Sequence, residues 1–216
     1  MNMTTKEFFL YLLAAAIGYL LGSLSPGIAL TKKSANIDIR DYGSKNSGAT
    51  NVLRVMGPYL GIAVFLLDIL KAVVACIVGK ALFGNYDPSL AQNGGMMAGI
   101  FTVIGHNWTL YHNFKGGKGV ASSAAAIVWM FPTEGLIAVA ICIALIAITK
   151  FVSLGSISLF ISFTVIMCIK HISINWQYCL WAFLLMVMGL YRHRSNIQRL
   201  LNGTENKLGQ RTKINK

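Results

Sequence analysis

The chain has 216 residues, of which 55% are hydrophobic and only 12% charged. Soluble domains carry roughly 25% charged residues, so the composition excludes an ordinary soluble enzyme, a disordered tail and a soluble nucleic-acid binder. It points to an integral membrane protein, in which the net charge of +12 reads as bilayer orientation and anionic-lipid contact, with no nucleic-acid partner.

In chain order, residues 8–31 hold no charge, which is enough for a helix of roughly 20 apolar residues to cross the hydrocarbon. A signal peptide is the rival reading. Lys6 is offset by Glu7, however, and the run exceeds the usual apolar region of about 7–15 residues, so a retained first span is expected. A second apolar stretch covers about 55–83, interrupted by Asp68 and Lys71, and a third covers about 89–111. Four shorter blocks follow at roughly 119–133, 135–149, 151–169 and 171–191, broken by Glu134, Lys150 and Lys170. The expected fold is all-α and polytopic, with about seven transmembrane helices. Fusion of the short blocks into five spans is the alternative. Residues 1–216 read as a single transmembrane helical domain.

Charge sets the expected sidedness. Residues 32–54 carry +3, the Lys115 and Lys118 pair +2, Lys150 +1 and the tail 192–216 +6, which together equal the whole net charge. These are alternate connections, so one face collects the excess. Basic residues stay on the cytoplasmic side, which places the N-terminus outside and the C-terminus in the cytoplasm. Cys76, Cys142, Cys168 and Cys179 sit singly in apolar runs, the pattern of buried thiols rather than of disulfides or a metal site.

Three polar segments, 38–54, 105–123 and 192–205, interrupt the apolar pattern. The first holds Gly43, Ser44, Asn46, Ser47, Gly48, Thr50, Asn51 and Arg54. Small residues expose backbone N–H groups, and such a concavity before a helix binds anions. Thr50 or Asn51 is expected to cap that helix. The second reads Lys115-Gly116-Gly117-Lys118-Gly119. Glycine admits a phosphate close to the main chain and lysine adds a point charge, although the nucleotide P-loop pattern is absent. In the third, Arg192, His193 and Asn196 are spaced to share one side of a helix. Each has a plainer alternative, respectively a solvated turn, snorkelling lysines, and a basic helix gripping lipid headgroups. Together they point to a phosphorylated or otherwise anionic ligand at the cytoplasmic interface. Asp68, within an apolar run, is expected to form a structural ion pair with Lys71. No His-x-x-x-x-Asp or Gly-x-Ser-x-Gly signature occurs.

The segments DIRDYGSKNSGATNVLR, GHNWTLYHNFKGGKGVAS and RHRSNIQRLLNGTE, in that order and spacing, resemble the bacterial membrane glycerol-3-phosphate acyltransferase family that uses acyl phosphate as donor (PlsY). The resemblance covers almost the whole chain. It implies a seven-span fold in the bacterial cytoplasmic (inner) membrane, with the three motifs forming a cytoplasmic-side site. It implies acyl transfer from acyl phosphate to the first hydroxyl of glycerol 3-phosphate, giving lysophosphatidic acid and phosphate, the first step of phospholipid synthesis. A cytoplasmic acyl-phosphate synthase is implied as functional partner; no cofactor or metal is implied. By motif position, Ser44, Asn46, Arg54, Lys115, His193 and Asn196 are the candidate catalytic residues. Gly43, Gly48, Thr50, Gly116, Gly117, Lys118, Ser153 and Arg192 are the candidate substrate-binding residues.

Two departures stand out. Lys45 replaces the middle glycine of the family's usual Gly-Ser-Gly-Asn, so a positive φ there would cost about 1–3 kcal/mol. The proline usually found between His106 and Phe114 is missing. Rival functions are a membrane anion transporter, which needs a charged midplane path, and a lipid-binding scaffold. A covalent acyl-enzyme on Ser44 would need an adjacent base, and the sequence offers none.

Overall fold

Thr4 begins the first helix with a capping box: its hydroxyl accepts from the Glu7 amide, and the Glu7 carboxylate accepts from the Thr4 amide. This satisfies two otherwise unpaired N–H groups. Helix α1 (Thr5–Ser23) ends at Leu24 because Pro26 follows, and the residue before a proline leaves helical geometry. Pro26 then opens α2 (Pro26–Ala35), which stops at Asn36 in the left-handed region. The computed structural model describes residues 4–210; Arg211, Lys213 and Lys216 of the predicted basic tail lie outside them.

Among the described residues there are ten α-helices and no strand. After α2 come α3 (Ala49–Met56), α4 (Pro58–Gly84), α5 (Ala91–Asn107), α6 (Val120–Met130), α7 (Pro132–Thr149), α8 (Val152–His171), α9 (Trp176–Arg192) and α10 (Arg194–Leu201). A helix lies in every apolar block read from the sequence. Among the described residues, four segments are long and apolar enough to cross a membrane: Thr5–Ala35, Pro58–Gly84, Pro132–Thr149 and Val152–His171. Their exposed faces carry large apolar side chains, such as Leu66 and Leu70 on α4 and Leu136 and Ile143 on α7, as lipid contact requires. The third predicted block is shorter than expected. Helix α5 stops at Asn107, and a single 3₁₀ turn, Leu110–His112, takes up the remainder.

The chain divides into two compact units, up to Met130 and from Phe131 onward. In the first, α1, α4 and α5 pack together. Gly18 and Gly22 of α1 face the Ala98 and Thr102 carbonyls of α5 so closely that a Cβ would overlap them. Small residues permit this approach, and dispersion and polar contacts rather than hydrophobicity drive such packing in lipid. Ala14, Ala75, Phe83 and Ala98 form one buried cluster; Ile28, Ile39, Val52 and Val64 form a second beneath the first polar segment.

In the second unit, α7, α8 and α9 pack around Leu159, Phe160, Phe163, Trp181 and Leu185, all buried. Phe163 and Trp181 meet edge to face at 6.0 Å. Glu134, at the start of α7, accepts from Lys170 Nζ at 2.6 Å and lies 3.2 Å from His171 Nε2, which staples α7 to the end of α8.

Candidate active site

The first polar segment is organised by a buried amide. The expectation that Thr50 or Asn51 caps α3 is corrected: Gly48 is the N-cap, without a side-chain bond, and both residues lie inside the helix. Asn51 instead reaches back over the loop. Its Oδ1 accepts from the Ser44 amide at 2.8 Å, and its Nδ2 lies within 3.1 Å of the Ile39, Tyr42 and Asn46 carbonyls. Gly43 has φ +59, and a Cβ there would strike Asn51 Oδ1; only glycine satisfies both conditions. Lys45 does adopt positive φ, +57, as the missing glycine implies. Asn46 Oδ1 accepts from the Gly48 amide at 2.9 Å. Ser44 is exposed, Thr50 half-buried, and Arg54 sits in the last turn of α3.

The second segment is bound to the end of α5. Gly116 and Gly117 donate to the Asn107 and His106 carbonyls at 3.3 and 3.0 Å, so these glycines terminate the helix as well as shape the loop. A Cβ on Gly117 would overlap the His106 ring. Lys115 is exposed and Lys118 half-buried. The loop is also pinned to α1: Thr109 Oγ1 donates to the Ser23 carbonyl, Ser23 Oγ accepts from the Leu110 amide at 3.1 Å, and Tyr19 donates to the Trp108 carbonyl at 2.9 Å.

Behind this loop lies a buried charge cluster. Lys71 Nζ and Asp68 Oδ1 are 2.8 Å apart, which confirms the expected ion pair. His106 completes it, with Nδ1 3.2 Å from the same carboxylate oxygen and 3.0 Å from Lys71 Nζ. Lys71 also donates to the Gly22 and Leu24 carbonyls at 3.0 and 2.7 Å. The cluster thus joins the end of α1, the middle of α4 and the residue on which Gly117 rests.

The first and second segments meet through Arg40, which no sequence motif singles out. Its guanidinium pairs with Asp38 at 2.6 Å and donates to the His112 and Lys115 carbonyls, each at 3.1 Å. The hydrogen bonds from Arg40 hold the Asp38 carboxyl below the usual range, and Asp38 raises the guanidinium in turn.

Ser153, Arg192, His193 and Asn196 lie in the second unit. The spacing of Arg192, His193 and Asn196 predicts one side of a single helix, but the helix breaks at His193, the C-cap of α9 and the residue before α10. His193 is buried, and its Nδ1 donates to the Gly189 carbonyl at 2.8 Å. This places a proton on Nδ1. Ser153 lies in the first turn of α8. Its hydroxyl and the Asn196 amide both donate to Glu205 Oε1, at 3.0 and 2.7 Å, while Arg199 Nε donates to Oε2 at 2.7 Å. Burial disfavours ionisation of Glu205, but these three donors outweigh it and hold the carboxyl below its usual range. In the sequence Glu205 reads only as a tail charge. Its signal is that it is the one acid among the basic residues of that tail.

A family model described as glycerol-3-phosphate acyltransferase matches residues 12–203. The chain belongs to the glycerol-3-phosphate acyltransferase family. A family member from Thermoanaerobacter sp. (strain X514) is 46% identical over 202 residues, covering 94% of this chain and 98% of the relative. The acyltransferase of Clostridioides difficile (strain 630) is 41% identical, covering 95% and 98%. Among solved structures, the integral membrane acyltransferase PlsY (YgiH) in its glycerol 3-phosphate form aligns with a TM-score of 0.82 at 31% identity, covering 92% of this chain and 96% of that one. Its lysophosphatidic acid form aligns at 0.79 and 30%, covering 93% and 96%. This family member is therefore a multi-pass membrane acyltransferase.

Proposed function

We propose that the protein transfers a fatty acyl chain from acyl phosphate to the first hydroxyl of glycerol 3-phosphate, releasing lysophosphatidic acid and phosphate. The observation that carries the reading is the close match, over nearly the whole chain, to a structure whose crystal forms are named for glycerol 3-phosphate and lysophosphatidic acid. The proposed setting is the bacterial cytoplasmic membrane, crossed about seven times with the C-terminus inside. A cytoplasmic acyl-phosphate synthase would supply the donor.

Acyl phosphate is a reactive mixed anhydride, so the leaving group needs little assistance. The harder requirement is to hold two anions together with the hydroxyl aligned to the carbonyl, which proximity and fixed positive charge accomplish. In this reading Lys115 and Lys118 take one phosphate, while the Gly116 and Gly117 amides stay on the Asn107 and His106 carbonyls and shape the turn that carries the two lysines. Arg54, Arg192 and the Gly43–Gly48 loop, including Ser44, Asn46 and Thr50, contribute the remaining anion contacts. Ser153, His193 and Asn196 orient polar groups of the substrates. Ser44 lacks a neighbouring His or carboxylate among its hydrogen-bond partners, which disfavours a covalent acyl-serine. A substrate phosphate oxygen then accepts the hydroxyl proton, and His193 is not the general base.

Purified protein in lipid, given labelled glycerol 3-phosphate with palmitoyl phosphate or palmitoyl coenzyme A, tests this directly. Lysophosphatidic acid from the phosphate donor alone, lost in folded Lys115→Ala, is the expected result. Turnover with the thioester alone overturns the donor assignment. No turnover with either donor overturns the proposal in favour of anion transport, read as flux in proteoliposomes. For His193→Ala, a rate loss of about tenfold or less is expected; a loss in the range of about 10²–10⁴ would identify it as an acid–base group.

A further inference from the structure

Arg40 is itself assigned no substrate contact, yet both edges of its guanidinium are engaged. Along one edge, Nε and Nη2 donate to the Asp38 carboxylate, whose Oδ1 also accepts from the Arg40 backbone amide at 2.9 Å. On the other, Nη1 donates to the carbonyl oxygens of His112 and Lys115. Those two carbonyls bracket Asn113 and Phe114, which have φ +54 and +58. Two successive left-handed residues without glycine are sterically unfavourable, more so for phenylalanine, which has no short polar side chain to compensate. Such a turn persists only where its surroundings over-determine it. Lys115 follows it immediately and is exposed.

We propose that Arg40, keyed by Asp38, is a positioning residue that clamps the strained His112–Lys115 turn and thereby aims the Lys115 ammonium at the phosphate of glycerol 3-phosphate. The planar fork suits this role, because one guanidinium satisfies a carboxylate and two carbonyls at once, which a lysine ammonium on a flexible stem does not reproduce. The proposal rests on the phosphate-binding role given to Lys115 above, and its test separates the two.

The test is steady-state kinetics of the full-length protein in lipid, varying each substrate in turn, for Lys115→Ala, Arg40→Gln, Arg40→Lys and Arg40→Gln with Phe114→Gly. Displacing a binding group without removing it should raise KM for glycerol 3-phosphate about tenfold in Arg40→Gln, with KM for acyl phosphate changed by about twofold or less. Arg40→Lys should shift KM the same way by a smaller factor. Phe114→Gly should restore most of the loss, because glycine adopts positive φ without the steric penalty. Trypsin should also cut after Lys115 faster in Arg40→Gln than in the parent. If Lys115→Ala leaves KM for glycerol 3-phosphate unchanged while trypsin cleavage responds to Arg40, the clamp stands and the phosphate role of Lys115 fails. If Lys115→Ala raises KM but Arg40→Gln and Arg40→Lys do not, the clamp is overturned. A loss in Arg40→Gln that falls equally on both substrates and ignores Phe114→Gly also overturns it. Should Arg40→Gln fail to fold, Arg40→Lys, which keeps a cation beside Asp38, carries the same comparison.

Discussion

Glu205 shows how one carboxylate organises a basic tail. Ser153, Asn196 and Arg199 all donate to it, and its folded pKa lies below the ordinary value. A lowered pKa contributes stability that is present above the unfolded value of about 4.3 and is lost as pH falls through the folded value. Acid below about pH 4 should therefore release residues 192–210 from α8, read as faster amide hydrogen exchange in α10. Glu205→Gln should already exchange faster, and be cut faster by trypsin after Arg199, at neutral pH, and should lose that acid-dependent step. Lys45 gives a prediction of opposite sign. Its φ of +57 costs roughly 1–2 kcal/mol for a residue with a Cβ, partly offset by the backbone entropy of glycine. Lys45→Gly should stabilise the protein by about 0.5–1 kcal/mol, measured as thermal unfolding in detergent, with turnover kept. Lys45 was legible in the sequence because one glycine was missing from a pattern. Asn51 was not: an asparagine near a helix start suggests a cap, and only the folded loop shows that four backbone groups converge on its amide.

At the scale of helices, apolar runs revealed where long segments lie, because lipid demands continuous hydrophobicity and internal backbone hydrogen bonds. The same signal is silent for α2, α3 and α10, which are short and mix charged with apolar residues. It also could not show that the helix through Arg192 breaks at His193. The Asp68 and Lys71 spacing disclosed an ion pair within α4, but His106 lies on another helix, and the sequence contains nothing that joins them. The cluster is buried and its charges are paired at 2.8 and 3.2 Å, so deleting one member leaves the others without compensation. Asp68→Asn or Lys71→Met should each cost about 3–5 kcal/mol. Replacing both with apolar residues should recover only part of that, because the Gly22 and Leu24 carbonyls still lose the ammonium. Thermal unfolding of the three variants checks the order.

For the molecule as a whole, composition alone separated membrane from soluble classes, and the order of three motifs pointed to the family. Orientation rests on the distribution of positive charge. A single cysteine placed at Lys207, in a cysteine-free background, should react with an impermeant reagent only from the cytoplasmic side. One at Asn85 should react only from outside; the reverse pattern would invert the proposed topology. The tail has a further consequence in the order of biosynthesis. The Ser153 hydroxyl is made 52 residues before its acceptor on Glu205, and the Lys150 carbonyl waits for the Leu208 amide, which it meets at 2.7 Å. Chains emerge from the ribosome N-terminus first. A nascent chain halted at residue 200 would therefore already hold its long apolar helices in the bilayer while the turn between α7 and α8 lacked its partners. Insertion and completion of the tail contacts are thus separated in time, and a chain stalled short of Glu205 would occupy the membrane without the acceptor that holds Ser153 and Asn196.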